Sequence, residues 1–201
     1  KYMTYEEQIA LAGLAISAIK LRPNNPFTWA SGSKMPMYND NRMFFFYPEY
    51  RILLAKGFEE ILRSEEILYD VIAGTSTAGI SPATTLADLL QKPMIYVRDK
   101  PKDHGLQNQI EGIDAESDLQ GRKVILVEDL ISTGGSSVRA VQAIRNANGE
   151  CNYCISIFNY GLDRAVQAFE SLYPPCEVRS LLTYDTLLEA VSYTHLTLPT
   201  N

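Results

Sequence analysis

Two adjacent carboxylates stand between an apolar run and a turn rich in glycine and hydroxyl side chains. The apolar run covers residues 124–127, the acids are Glu128 and Asp129, and the turn covers residues 132–137. Four consecutive aliphatic residues are typical of a strand buried on both faces of a parallel sheet, whose carboxyl end is where such sheets bind ligands. The turn can point several backbone N–H groups at one phosphate, while sugar hydroxyls donate to the acids. The pattern predicts a site for a ribose phosphate.

Two common phosphate-binding motifs do not fit this turn. A P-loop needs a lysine directly after its last glycine, and Gly135 is followed by Ser136. A dinucleotide-binding motif needs the spacing G-x-G-x-x-G, which Gly134 and Gly135 do not supply. Two carboxylates would also repel a triphosphate, whereas they accept hydrogen bonds from a ribose worth about 1.5–3 kcal/mol each. The alternative is an ordinary turn between strand and helix with an acidic N-cap.

A second turn of the same kind follows another apolar run. It covers residues 74–80 and carries hydroxyl groups at Thr75, Ser76 and Thr77. Two anion-binding turns at the same end of a sheet predict a doubly phosphorylated ligand. A glycine-rich turn that serves only close packing is the alternative.

The segment from Arg98 to about Arg122 has no regular pattern, and its first part is basic. Its positive groups are Arg98, Lys100, Lys102 and His104. Loops of this length within a compact domain are usually functional or disordered. The functional interpretation is a lid over residues 98–112 that neutralises a leaving pyrophosphate and excludes water. The alternative is a solvated, charged loop.

Residues from about 20 to 48 precede the sheet and form a candidate hood. The part from 31 to 42 combines turn residues, Lys34 and a polar Asn-Asp-Asn-Arg run. Such a segment can cover a planar base, although alone it also fits a surface hairpin. We expect the three phenylalanines at 44–46 to pack in the core.

Composition and charge restrict the classes of partner. The chain has 201 residues, of which 46% are hydrophobic, and a net charge of −6. These values fit one globular domain, predicted over residues 1–190, and disfavour an extended nucleic-acid surface. No apolar run approaches the roughly 20 residues of a membrane span, and no leader is recognisable, so we expect a cytoplasmic protein. Residues 191–201 lack a helical or strand period and are expected to be a non-native tail.

The pair Cys151 and Cys154 has the spacing CxxC of redox and metal motifs. It leads into a strand instead of opening a helix, so its sulfurs are expected on opposite faces of that strand. A zinc site would need two further ligands. We therefore expect packing cysteines.

Hydrophobic periodicity predicts alternating helices and strands. Predicted helices cover residues 4 to roughly 19, 50–62, 79–90, 138–146 and 163–171, and predicted strands cover 68–73, 94–97, 123–127, 153–158 and 178–183. This alternation predicts an α/β fold, with a mostly parallel twisted sheet covered by helices on both faces.

Residues 31–183 together resemble the type I phosphoribosyltransferases. The run Val-Glu-Asp-Leu-Ile-Ser-Thr-Gly-Gly-Ser at 127–136 is similar to their signature for phosphoribosyl pyrophosphate, which does not specify the base. Residues 31–36 and 102–112 resemble the orotate-using members in particular. The resemblance implies the type I fold with a small N-terminal hood. It also implies transfer of the 5-phosphoribosyl group to orotate, giving orotidine 5-monophosphate and pyrophosphate, in pyrimidine (UMP) biosynthesis.

The resemblance implies roles for single residues as well. The implied catalytic residues are Arg98, Lys102, His104 and Asp129. The implied substrate-binding residues are Lys34, Thr75, Ser76, Thr77, Glu128, Asp129, Leu130, Ile131, Ser132, Thr133, Gly134, Gly135 and Ser136. It further implies Mg²⁺ held mainly by substrate oxygens and water, without a protein metal site, and a homodimer whose lids reach the neighbouring site. One departure is Asp99, which stands where the family often has lysine.

Two other functions remain open at this point. A purine or uracil phosphoribosyltransferase would share every phosphate-binding feature and would differ in the hood and lid. A regulator that senses phosphoribosyl pyrophosphate would bind nucleic acid without turnover. The negative net charge and the absence of an added DNA-binding segment count against the regulator.

Overall fold

Helices and strands alternate along most of the chain. The computed structural model describes residues 2–22, 24–28, 34–103 and 109–197. The helices are α1 (Tyr5–Ala15), α2 (Pro48–Ser64), α3 (Ile80–Leu90), α4 (Gly135–Asn146), α5 (Asp163–Glu170) and α6 (Tyr184–Thr197). The strands are β1 (Ile19–Leu21), β2 (Phe27–Thr28), β3 (Lys34–Met35), β4 (Met37–Asn39), β5 (Val71–Thr75), β6 (Met94–Val97), β7 (Ile110–Glu111), β8 (Lys123–Ile131), β9 (Glu150–Asn159) and β10 (Glu177–Thr183).

Six strands form the central sheet in the order β10-β9-β8-β5-β6-β7. All neighbours in this sheet pair in parallel except β6 and β7, which are antiparallel. The carboxyl ends of β5, β6 and β8 therefore meet at one edge. The predicted turns and lid follow these three strands, so the topology brings them together.

Two hydrophobic cores cover the two faces of the sheet. Ile72 and Ile125 belong to the core that also contains residues of α1, α2, α3 and α6. Ala73 and Leu126 belong to the other core, which contains residues of α4 and α5. Strands buried on both faces consist of nearly continuous aliphatic residues, which is the pattern in the sequence. The predicted α/β class with helices on both faces is confirmed.

The hood consists of short antiparallel strand pairs followed by a 3-10 helix. Strand β1 pairs with β4, β2 pairs with β3, and the 3-10 helix covers Asn41–Phe46. Phe44 is fully buried, but Phe46 is 82% exposed. The expectation that all three phenylalanines lie in the core is wrong for Phe46, because successive residues of a 3-10 helix point to different sides.

Helix α1 begins as predicted but ends earlier. The Thr4 hydroxyl caps it by accepting a hydrogen bond from the Glu7 N–H at 3.1 Å. The predicted end near Ile19 is wrong, since the helix ends at Ala15 and Ile19 pairs with Asn39 in the hood. Ile19 fits the apolar spacing of a helix, but it belongs to strand β1.

The three cysteines are free and buried in the same core. The expectation that Cys151 and Cys154 lie on opposite faces is wrong. Between β8 and β9 the register shifts, so that Lys123 pairs with Glu150 and Ile125 with Tyr153. The extra residue on β9 is a bulge, which changes the alternation and brings both sulfurs to one face. The packing role expected for these cysteines is confirmed.

Helix α6 continues to Thr197, past the predicted domain boundary at residue 190. The non-native origin of residues 191–201 stays a prediction, and residues 198–201 lie outside the described residues. Among the helices that the structure describes, none has the length and apolar character to cross a bilayer.

Candidate active site

Strand β8 continues through both acids instead of ending before them. Glu128 and Asp129 lie inside it, and Glu128 pairs with Ser156 of β9. Successive strand residues point to opposite sides, so the two carboxylates have different environments. Glu128 is 5% exposed, whereas Asp129 is half-buried. Asp129 is therefore the more accessible acid of the pair.

The Glu128 carboxylate joins the two predicted anion turns. The Thr75 hydroxyl donates to its Oε1 at 2.8 Å, and the Ser137 hydroxyl donates to its Oε2 at 2.8 Å. Thr75 ends β5, and Ser137 lies in the first turn of α4. The Asp129 N–H also donates to Oε1, at 3.1 Å. One buried side chain thus fixes both turns relative to strand β8.

Burial of Glu128 favours its neutral form. Desolvation, followed by the interaction with the Asp129 side chain, raises the pKa of Glu128 to about 7, although the hydroxyls of Thr75 and Ser137 act in the opposite direction. A carboxyl group in low dielectric without a cationic partner holds its proton more strongly. Near neutral pH this group exchanges between its two protonation states.

The hood is attached to the acidic strand through Asn41. The Asn41 Nδ2 group donates to the Asp129 carbonyl oxygen at 2.8 Å, and Asn41 is only 2% exposed. Next to it, Asp40 and Arg42 form an ion pair at 2.8 Å, which lowers the pKa of Asp40. The hydrogen bond of Asn41 holds the hood beside Asp129.

The turn after β8 leads from the acidic strand into helix α4. Gly134 has a φ of 83°, in the left-handed region that favours glycine, and an added Cβ there would lie 3.3 Å from Ala165 Cα. Helix α4 begins at Gly135, three residues before the predicted start at Val138. Ser132 is half-buried, while Thr133 and Ser136 are exposed. The first turn of a helix is a suitable place for a phosphate.

The turn after β5 packs directly on the neighbouring strand. An ideal Cβ at Gly79 would lie 2.3 Å from Thr75 Oγ1 and 2.7 Å from the Val127 carbonyl oxygen. Close packing thus accounts for this glycine. The packing alternative does not account for the hydroxyls, since Ser76 is half-buried and Thr77 is exposed at the same edge.

The base of the predicted lid is held by β6 and β7. The Arg98 N–H donates to the Gln109 carbonyl oxygen at 2.8 Å. Arg98 forms an ion pair with Glu111 at 3.4 Å, and Lys102 forms another with the same carboxylate. Lys102, and then Arg98, lower the pKa of Glu111. Strand β7 and Glu111 were missed by the prediction of a patternless segment, because a two-residue strand has no periodicity.

A cavity of about 240 Å³ lies between the second turn, the lid base and α4. Its lining residues are Thr75, Ser76, Val97, Arg98, Asp99, Lys100, Gln109, Ser136, Arg139 and Ala140. The structure thus brings together four predicted site residues from three separate segments. Arg139 was not predicted, and helical spacing from the turn is the only signal that could have suggested it.

Other predicted site residues lie elsewhere. Leu130 is partly buried against the first core, and Ile131 is buried in the second, so only their backbones can face a ligand. Lys34 lies in β3, but its side chain is outside what the structure describes, and so are His104 and the Ser31–Gly32–Ser33 start of the hood motif. Among the described residues, no group of three or more His, Cys, Asp or Glu side chains is arranged for a metal ion.

Comparison with known proteins decides the family. The profile of the phosphoribosyl transferase domain matches residues 48–196. The orotate phosphoribosyltransferase of Halalkalibacterium halodurans is 47% identical over 184 residues, which are 92% of this chain and 85% of that relative. The chain belongs to the orotate phosphoribosyltransferase family.

A second orotate phosphoribosyltransferase, from Listeria innocua, is 46% identical over 187 residues, or 93% of this chain and 87% of the relative. The crystal structure of orotate phosphoribosyltransferase from Aeropyrum pernix has a TM-score of 0.74 at 23% identity, covering 92% of this chain and 98% of that one. At that identity the structural match concerns the fold alone. The predicted type I phosphoribosyltransferase fold and the predicted family are confirmed.

Proposed function

We propose that this chain transfers the 5-phosphoribosyl group of phosphoribosyl pyrophosphate to N1 of orotate. The products are orotidine 5-monophosphate and pyrophosphate, and the reaction belongs to pyrimidine biosynthesis. The observation that supports this proposal best is the position of Glu128, which links two anion turns on adjacent parallel strands. A ligand with a phosphate at each end of a sugar fits two such turns, with Asp129 between them.

The chain's own residues carry the reaction by positioning charge. A bond forms between orotate N1 and ribose C1, the bond from C1 to the pyrophosphate oxygen breaks, and the N1 proton passes to the released pyrophosphate or to water. Asp129 accepts hydrogen bonds from the ribose hydroxyls and stabilises the positive charge that develops on the ring. The turn at 132–136 holds the 5-phosphate, and Ser76 and Thr77 hold the pyrophosphate.

Cations at the lid base stabilise the leaving group. Arg98 lines the cavity beside Ser76, and Lys102 pairs with the same Glu111 carboxylate as Arg98. Both side chains can exchange this carboxylate for a pyrophosphate, which in the dimer proposed below is bound in the site of the partner subunit. We assign them and His104 to stabilisation of the leaving group.

The described residues could bind Mg²⁺ only together with oxygen atoms of the substrate. Mg²⁺ prefers oxygen ligands and usually keeps several waters while binding one or two carboxylates and substrate phosphates. Asp129 supplies an accessible carboxylate, and the described residues offer no larger cluster. When bound, the ion would neutralise pyrophosphate charge.

We also propose a homodimer in which the lid of one subunit serves the site of the other. The domain is proposed to end near residue 190, with a hood at about 20–48 and the lid at 98–112. A cytoplasmic location is supported by three free cysteines, which are typical of a reducing compartment.

Separate incubations with orotate, adenine and uracil test the proposed function. Each contains the protein, phosphoribosyl pyrophosphate and Mg²⁺, and released pyrophosphate is measured. Turnover with orotate alone supports the proposal, and omission of Mg²⁺ should abolish it. Turnover with adenine or uracil instead would replace it by another phosphoribosyltransferase. Ligand binding without turnover would indicate a regulator.

The variant Lys102→Ala tests the lid assignment. We expect kcat to fall by roughly 10²–10³, because the substitution removes the positive charge that stabilises the leaving pyrophosphate. The midpoint of unfolding should change little, since a partly exposed ion pair at the protein surface adds little to stability. Lys56→Ala, on the exposed side of α2, serves as the control for loss of a surface lysine. An unchanged kcat in Lys102→Ala would remove Lys102 from the mechanism.

A further inference from the structure

The cavity between the second turn and α4 is mainly positive. Three of its lining side chains are cations, namely Arg98, Lys100 and Arg139, and one is an acid, Asp99. Arg139 comes from a different element from the other two cations, since it lies on α4 and they follow β6. Charges of one sign from separate elements around a small cavity favour a bound anion.

The guanidinium of Arg139 is turned toward the start of its helix. An ideal Cβ at Gly135 would lie 3.3 Å from Arg139 Nη1, so the guanidinium stands directly beside this glycine. The two residues are four apart, and helical side chains lean toward the helix N-terminus. The helix dipole opposes a cation at this position, and a bound anion reverses that effect.

Arg139 is also a cation that the described part of the protein leaves without an acidic partner. The ion pairs of the described residues involve Arg42, Arg63, Arg98, Lys102 and Arg179. Arg98 therefore has to leave Glu111 before it can bind a ligand fully, whereas Arg139 does not have to break an ion pair. A guanidinium can bind phosphate oxygens through two parallel hydrogen bonds.

We infer that Arg139 binds the pyrophosphate group of phosphoribosyl pyrophosphate, as a further binding residue of the proposed reaction. The inference rests on the proposed function. Pyrophosphate is favoured over the 5-phosphate because most of the cavity lining comes from the second turn and the lid base, and only Ser136 comes from the first turn. Helix α4 follows the first turn, but its Arg139 thus contributes a positive charge to the pyrophosphate site at the second turn.

Isothermal titration of Arg139→Gln tests this inference with two probes. We expect the affinity for pyrophosphate with Mg²⁺ to fall about tenfold or more, while the affinity for ribose 5-phosphate changes less than about twofold. In turnover, KM for phosphoribosyl pyrophosphate should rise about tenfold, and Arg139→Lys should recover part of the loss.

Arg145→Gln is the matched control on the same helix. The Arg145 guanidinium donates to the Cys151 carbonyl oxygen at 2.8 Å, so its loss should lower the melting temperature and leave pyrophosphate affinity unchanged. Unchanged pyrophosphate binding in Arg139→Gln would overturn the inference, and so would selective loss of ribose 5-phosphate binding. If the native protein binds pyrophosphate but does not convert orotate, the proposed function fails while the titration still decides the role of Arg139.

Discussion

Glu128 and Asp129 are neighbours with different tasks. The Glu128 carboxylate is buried and accepts hydrogen bonds from hydroxyl groups of two other elements, whereas the Asp129 side chain is half-buried. A structural role in holding both turns accounts for the contacts of Glu128 with Thr75 and Ser137. The proposed role at the ribose is therefore assigned to Asp129.

The buried Glu128 makes stability depend on pH. Its pKa in the folded protein is about 7, against 4.5 as its ordinary value. The folded state therefore binds the proton more tightly than the unfolded chain, and the free energy of unfolding decreases as pH rises from about 4.5 to about 7. Stability from this group is fully present below that range and lost above it.

The variant Glu128→Gln should remove this dependence. A glutamine can accept a hydrogen bond from one hydroxyl and stays neutral at every pH. The free energy of unfolding of the variant, relative to that of the native protein, should therefore increase by up to about 3 kcal/mol between pH 4.5 and pH 8. Urea unfolding at several pH values measures the difference, with Glu170→Gln, exposed on α5, as the control for charge loss. A difference that is constant with pH would show that Glu128 titrates normally.

At the scale of elements, the start of α3 is fixed by contact with two strands. Gly79 has no room for a Cβ, because the nearest atoms belong to Thr75 and to the backbone of Val127. A side chain at this position would push α3 and its turn away from β5 and β8. The turn after β5, proposed to hold the pyrophosphate, depends on this contact for its position.

Gly79→Ala should therefore reduce both stability and activity. We expect a loss of roughly 1–3 kcal/mol in the free energy of unfolding, typical of overpacking, together with a higher KM for phosphoribosyl pyrophosphate. Gly135→Ala is the control for stability, since its added Cβ would meet only the end of the Arg139 side chain, at 3.3 Å. Equal stability of the two variants would contradict the packing argument.

Local patterns in the sequence were sufficient for most of the sheet. The strands that follow aliphatic runs, and the turns after β5 and β8, lie where the pattern predicts, because burial on both faces leaves a strong local signal. Features that depend on distant partners were not predictable. The early end of α1 depends on pairing with Asn39, the sulfurs share one face because of a bulge against β8, and Glu111 and Arg139 reach the site only through the tertiary fold.

At the scale of the whole molecule, the single subunit places Lys102 on its own Glu111. A lid that serves a neighbouring subunit has to leave this partner, so the proposed dimer and the catalytic role of Lys102 are linked. Dimers that carry a different substitution in each subunit can test whether the lid crosses the interface. One defect is placed in the lid and the other at the ribose.

Mixed dimers of Lys102→Ala and Asp129→Asn subunits should recover activity. If lids cross the interface, each mixed dimer has one site with both defects and one intact site. Random assembly then gives about a quarter of the native activity, although each variant alone is nearly inactive. Co-expression with two affinity tags isolates the mixed form for assay. No recovery would show that each subunit uses its own lid.

The contact of Glu128 with both turns has a consequence for calorimetry. A ligand with two phosphates brings negative charge close to a carboxyl group that is half protonated near pH 7, and this charge raises its proton affinity further. Binding of phosphoribosyl pyrophosphate should then take up protons from the buffer. The heat of binding should vary with the ionisation enthalpy of the buffer for the native protein, and this variation should be smaller in Glu128→Gln, where the phosphate groups of the ligand still exchange protons.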